Sequence, residues 1–269
     1  MKKYSKVMAI LLVLCFSVLM LAGCGTKTVE TATASPVPTA TLAPTATPVP
    51  KVITMGTNAA FPPFEYLEVV NGQSTVVGVD ADIATEIAKR LGYQLKIEDM
   101  DFDSLITALT TNKIDFIAAG MSVTPEREKQ VMFSDNYFKA SQTVIVKTAS
   151  TIATKADLIG KKVAVQKGTT GDMDAAEIKD VQLSEFANGA EAVLALNNGS
   201  VDAVIIDNFP ATKYVQNNTG LKAVTGLYDD ESYAMAFRKT DTDFYNLFNA
   251  ELKKMIADGT IAQYVVNRS

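Results

Sequence analysis

The 269-residue chain contains no histidine and no tryptophan, and only two cysteines. Without histidine there is no Ser-His-Asp or Cys-His catalytic arrangement and no histidine zinc site. Two cysteines build neither a disulfide framework nor a multi-cysteine metal centre. Basic charge is also short: 25 Lys and Arg face 30 Asp and Glu, for a net charge of −5 and a pI near 4.9. That balance argues against a nucleic-acid surface. What is present is the make-up of a globular protein, 48% hydrophobic and 20% charged, at a length that accommodates one or two domains.

The first 23 residues read as a removable leader. Met1-Lys2-Lys3 and Lys6 make a cationic head, and Val7 to Ala22 is an apolar run of 16 residues broken only by Ser17. That is short of the about 20 residues of a membrane span and fits a secretory signal. The run ends Leu21-Ala22-Gly23-Cys24, which resembles the bacterial lipobox. The resemblance implies lipidation of Cys24 after cleavage; the plainer alternative is a signal peptide with a chance cysteine. Cleavage removes three lysines and no acid, so −5 becomes −8. Residues 24–50 then form a linker, with five of the nine prolines between Pro36 and Pro50 among Thr, Ala and Val. Such a stretch favours extended polyproline II and builds no core. Lipid, stalk and domain together predict a module anchored to a membrane rather than spanning it.

From Lys51 onward, strand and helix signals alternate. Val52 to Gly56 reads as a buried strand. Asp80 reads as the cap of a helix with Ile83, Ile87 and Leu91 on one face and Gly92 as its stop. Tyr93 to Glu98 reads as a strand, Phe102 to Thr111 as a helix and Ile114 to Ala119 as a buried strand. Thr124-Pro125 opens a further helix, with Thr as N-cap and Pro at N1. Thr143 to Lys147 and Lys162 to Gln166 read as strands, the second feeding Gly168-Thr169-Thr170-Gly171 and a helix. The alternation predicts an α/β fold with mainly parallel sheets.

An internal echo points to two similar lobes. Ile106 to Leu109 followed by Ile114 to Ile117 matches Val193 to Leu196 followed by Val201 to Val204, at a constant offset of 87 residues. The alternative is a chance likeness of two strand units. In open α/β sheets ligands sit at the carboxyl ends of strands, here Gly120 and Asp207. Three local features could hold a zwitterion. Arg127 lies in the first turn of its helix, where a cation opposes the macrodipole unless an anion docks there; it could also pair with Glu126 or Glu128. The Gly168–Gly171 turn offers free N–H groups and hydroxyls, or is a plain turn. Asp207 could receive an ammonium group, or cap the segment at Phe209-Pro210. Among Phe61, Phe64, Tyr66, Phe102 and Tyr233, Phe61-Pro62-Pro63-Phe64 is a stiff loop able to hold a ring at a cleft edge.

Gly56 to Tyr66, Val77 to Ala84, Met100 to Ile106, Ala119 to Arg127, Val131 to Tyr137, Gly160 to Gly171 and Asp202 to Asp207 follow one another in an order that resembles the solute-binding proteins of polar amino-acid ABC transporters. The resemblance covers nearly all of residues 51–269. It implies two α/β lobes joined by two hinge strands, with lobe one at 51–141 plus 233–269 and lobe two at 142–232. It further implies that Arg127 clamps the ligand's α-carboxylate beside backbone donors near Ser122 and Thr170, with Met121, Thr169 and Tyr233 also among the ligand-binding residues. Asp207 would receive the α-ammonium, aided by the Gly120 carbonyl. Phe61 and Phe102 would sandwich the side chain, and Asn58 and Gln166 would read its tip. Because those two are uncharged, a neutral amino acid such as glutamine or cystine is favoured over a basic one, with Glu65, Asp101 and Asp103 as the acids able to supply charge instead. The tail, Tyr264 to Ser269, departs from the aromatic-rich ending of many relatives.

The resemblance implies no cofactor, no metal and no catalysis. It implies as partners a free amino acid and a membrane permease, and a monomer at the outer face of the cell membrane, on the surface of a monoderm bacterium given the long stalk. Two alternatives belong to other classes. A dehydratase on the same fold would need Glu or Asp as its general acid. A sensory domain would be followed by a membrane span, and the chain closes at Ser269 without one.

Overall fold

The computed structural model describes residues 51–268; the leader, Cys24 and the linker lie outside them. The first lobe opens with β1 (Val52–Thr57) and a small antiparallel sheet, β2 (Ala60–Phe61), β3 (Glu65–Val70) and β4 (Gln73–Val77). It continues through α1 (Val79–Arg90), β5 (Gln94–Asp99), α2 (Leu105–Thr110), β6 (Phe116–Ile117), α3 (Pro125–Glu128) and β7 (Met132–Phe133). The long strand β8 (Phe138–Lys147) crosses into the second lobe. There follow β9 (Lys162–Gln166), α4 (Thr170–Ala176), β10 (Gln182–Phe186), α5 (Gly189–Asn197), β11 (Ala203–Asp207), α6 (Asn208–Asn217), β12 (Leu221–Val224) and β13 (Asp230–Tyr233). β13 pairs antiparallel with β8 and carries the chain back to β14 (Ala236–Phe237), α7 (Thr242–Ala257) and α8 (Thr260–Arg268).

The lobes are built on a sheet of order β5-β1-β6-β14-β7 and one of order β10-β9-β11-β8-β12. The α/β class is as expected, but each sheet is mixed. β1 is parallel to β5 and β6, and β9 to β10 and β11, whereas β14, β7, β8 and β12 pair antiparallel where the chain changes lobes or returns. Alternation of strand and helix reports the crossover units and is blind to returning strands.

Three local expectations are corrected. Asp80 is not a cap: Gly78 holds that place, and the Asp80 carboxyl reaches other partners. The segment from Phe102 splits into a 3-10 turn, Phe102–Ser104, and α2. Strand pairing between Ile114 and Ala119 is confined to Phe116 and Ile117, although the whole stretch except Asp115 is buried. Apolar continuity records burial, not ladder length. The echo survives as α2 with β6 and α5 with β11, whose strands end near Gly120 and at Asp207.

The core follows the predicted faces. Ile83 and Ile87 of α1 pack with Ile53, Phe116, Phe237 and Phe248; Val144, Val146, Val163, Val165 and Ile205 fill the second lobe. Between the lobes, Phe64, Phe138, Phe209 and Tyr233 make a ring cluster with centroids 4.8–6.1 Å apart, mostly edge to face as aromatic quadrupoles prefer. Phe64 is thus core, and only the other ring of its proline loop, Phe61, reaches the cleft. Arg268 of α8 grips Asp82 of α1 with two 2.8 Å bonds, so the tail packs without the aromatic-rich ending.

Candidate ligand-binding cleft

One cavity is lined by Asn58, Phe61, Phe102, Gly120, Ser122, Arg127, Gln166, Thr169, Thr170 and Asp207, all singled out in the sequence. Ala119 and Glu65 complete it. Met121 and Tyr233 do not line it: Met121 points into an apolar cluster with Leu105 and Ile114, and Tyr233 is fully buried behind Asp207. Motif position brings both close, but backbone direction decides which neighbour faces the cavity.

Arg127 is placed by capping chemistry. Thr124 is the N-cap of α3, accepting the Arg127 N–H at 3.3 Å, with Pro125 at N1. The arginine is 4% exposed, and burial lowers its pKa to about 10, against the opposing pull of Glu231 and Asp207. Its Nη1 donates to the Ser122 carbonyl at 2.6 Å and its Nη2 to the Gly168 carbonyl at 3.0 Å, while its Cζ lies 5.2 Å from the Phe102 ring centroid. It is therefore neither exposed nor paired with Glu126 or Glu128. Gly168 and Gly120 have positive φ, +74° and +51°, and a Cβ there would come within 2.9 Å of Asp103 and 2.7 Å of Phe61. Both positions need glycine.

Asp207 ends β11 and precedes α6 without a side-chain capping bond. Its Oδ1 instead accepts the Tyr233 hydroxyl at 2.6 Å. Burial, then the charge of Glu231, raises its pKa to about 7. A buried carboxylate with spare acceptor capacity is short of a cation.

Glu231 carries no motif, and the sequence reading missed it. Its Oε2 accepts the hydroxyls of Ser122, in the first lobe, and Thr170, in the second, the latter at 2.8 Å. An acid in the run Asp229-Asp230-Glu231 looks like a solvated turn; only the pairing of β13 with β8 turns it inward. Asn58 and Gln166 meet across the cleft. Gln166 Nε2 donates to Asn58 Oδ1 at 2.9 Å and to the Ala187 carbonyl at 3.2 Å, and Asn58 Nδ2 donates to the Met100 carbonyl at 2.8 Å. Asp103 pairs with Lys167 at 3.0 Å and, like Asp101, is absent from the lining. Among the described residues, no group of three or more acids or cysteines is arranged to hold a metal, and no helix is long and apolar enough to cross a membrane.

The family profile for bacterial extracellular solute-binding proteins, family 3, matches residues 53–266. The chain belongs to this family. It is 36% identical over 217 residues to the arginine-binding extracellular protein of Bacillus subtilis, covering 78% of this chain and 83% of that one. It is 37% identical over 189 residues to that organism's glutamine-binding ABC transporter protein, covering 68% and 69%. A mutant form of the arginine-binding protein of T. maritima superposes with a TM-score of 0.76 at 41% identity, covering 81% of this chain and 94% of that one. As a family 3 solute-binding protein the chain binds and hands on a solute; it is not an enzyme, and the dehydratase alternative falls.

Proposed function

We propose that the protein is the receptor of an ABC transporter for a polar amino acid, and that arginine is its best ligand. The observation that carries the receptor role is the presence of a buried cation, Arg127, and a buried acid, Asp207, from different lobes in one cavity. They complement the carboxylate and ammonium of an α-amino acid. Backbone N–H groups at Ser122 and Thr170 would join Arg127, and the Gly120 carbonyl would join Asp207. Phe61 and Phe102 would flank the side chain. Arg127 would leave the Ser122 and Gly168 carbonyls in part, exchanging neutral acceptors for a charged one.

The choice of arginine departs from the neutral ligand expected from Asn58 and Gln166. Three of their four N–H donors are spent, on Asn58 Oδ1 and on the Ala187 and Met100 carbonyls, leaving mainly acceptors for a ligand. A further acid, Glu231 beside Arg127, joins Asp207 and leaves the site rich in acid. An acceptor-rich, acidic site suits a guanidinium, with five N–H donors, better than a glutamine amide. Similarity to arginine-binding relatives supports the same choice.

Thermal shifts of the purified protein against the twenty amino acids and cystine test this. A ligand at about a hundred times its Kd adds about 2.7 kcal/mol of stability. The expected result is the largest shift with arginine, abolished by Arg127→Ala and by Asp207→Ala. A larger shift with glutamine or cystine would restore the neutral ligand. No shift with any amino acid would remove the receptor role.

A further inference from the structure

Beneath the cleft two acids meet, one from β3 and one from α1. Glu65 is 1% exposed and Asp80 is fully buried. Asp80 Oδ2 accepts the Gly120 N–H at 2.8 Å and the Tyr137 hydroxyl at 2.8 Å. Asp80 Oδ1 and Glu65 Oε2 are buried, and no N–H or O–H of another group reaches either. The Asp80 N–H donates to the carbonyl of Phe64 at 2.9 Å, which sets the two acids on neighbouring backbone, and each carboxyl acts on the other.

Two ionised carboxylates in this arrangement repel, and neither has a hydrogen to give. One proton between them makes a donor of one and leaves an acceptor in the other, so both otherwise orphaned oxygens are satisfied. The groups that bear on the pair do not supply a countercharge: Asp207 is a further acid, and Tyr137 contributes a neutral hydroxyl. Asp80 already accepts two bonds at its other oxygen, which stabilises its ionised form, and Glu65 has the cleft and Asp207 beside it. The proton therefore belongs on Glu65. Burial, reinforced by Asp80 and Asp207, pushes the Glu65 carboxyl well above the ordinary carboxylate range.

We propose that Glu65 is a neutral acid whose O–H donates a hydrogen bond to Asp80, and that this pair is the positioning device for the Gly120 peptide at the ligand's amino group. The second half rests on the receptor role proposed above; the first does not. Gly120 is held from three sides. Its N–H is fixed by Asp80, its left-handed backbone lies just beyond the end of β6, and the Phe61 ring packs where its Cβ would be. If the acid pair splits, Asp80 turns to find a donor, the Gly120 N–H loses its acceptor, and the carbonyl aimed at the ligand shifts with it. Phe61, packed on Gly120, moves as well. Glu65 and Asp80 thus act through Gly120 rather than by contact with the amino acid.

The test combines infrared spectroscopy with calorimetry. In ligand-free protein at pH 8.5, where Asp207 is largely ionised, the carbonyl band of a protonated carboxyl is expected, and Glu65→Gln removes it. Glutamine keeps the shape and donates an N–H to Asp80 without a titrating proton, so Glu65→Gln retains arginine affinity within about threefold. Glu65→Ala leaves Asp80 Oδ1 orphaned and weakens binding by about tenfold or more. A Glu65→Gln spectrum identical to that of the unsubstituted protein overturns the shared proton. Equal loss of affinity in Glu65→Gln and Glu65→Ala, or full affinity in both, overturns the positioning role. Should Glu65→Ala not fold, binding by Glu65→Gln at pH 6 and pH 8.5 replaces it: a loss above threefold at both values overturns positioning through the hydrogen bond. If the unsubstituted protein binds no amino acid, the receptor role fails, and the infrared comparison still decides the acid pair.

Discussion

At the scale of single residues, the cleft stores charge in the wrong solvent. Asp207 and Asp80, with ordinary values of 3.8, are held at about 7 and about 6 by burial. A raised folded-state value means stability that is present at low pH and lost as pH rises through the folded value. The ligand-free protein is therefore expected to melt at a lower temperature at pH 8 than at pH 5.5 on account of these two groups. Asp207→Asn removes the cost at Asp207, so its melting temperature at pH 8 exceeds that of the parent, by about 2–4 °C for each kcal/mol relieved, while arginine binding is lost. Scanning calorimetry with and without ligand checks both. A parent protein that is more stable at pH 8, or an Asp207→Asn protein that binds, would contradict this assignment. The residues of the cleft were largely legible because short motifs fix backbone shape: Thr124-Pro125 sets the turn that buries Arg127, and Gly168 the turn that presents Thr169 and Thr170. What motifs do not encode is direction, and so Met121 and Tyr233 lie near the cavity without facing it.

At the scale of elements, β13 was invisible and is the most consequential. Its four residues alternate Asp, Glu, Ser and Tyr, and nothing apolar announces a strand until it is laid against β8. That pairing puts Glu231 between a serine of one lobe and a threonine of the other. The bond is a tie across the cleft. Replacing Glu231 by alanine is expected to shift the ligand-free protein towards a more open form, read as a larger radius of gyration by small-angle X-ray scattering, with arginine restoring the compact value. An unchanged radius would show that the tie carries no closing force. The hairpin of β3 and β4 was also unread, although Asn71-Gly72, with φ of 52° and 80°, is the sort of pair that two-residue hairpin turns require. The helices, by contrast, follow their apolar period closely, because a packed face leaves a 3.6-residue trace whatever the tertiary context.

At the scale of the whole molecule, the ABC transporter sets the geometry in which a receptor is useful. We propose that Cys24 carries the lipid and that residues 25–50 hold the domain at the outer face of the membrane. Cys24→Ser is expected to move the protein from the membrane fraction to the culture medium or periplasm and to abolish labelling with palmitate; retention in the membrane would refute the anchor. Overall architecture was readable because the echo of α2 with β6 in α5 with β11 is a duplication of crossover units, whereas the antiparallel returns that join the lobes leave no such signature. The bonds that span the cleft have a kinetic meaning. Arg127 to Gly168, Gln166 to Asn58, and Glu231 to its two hydroxyls all must yield before the lobes part. Release from this closed form is then gated: a bound solute leaves no faster than the lobes part.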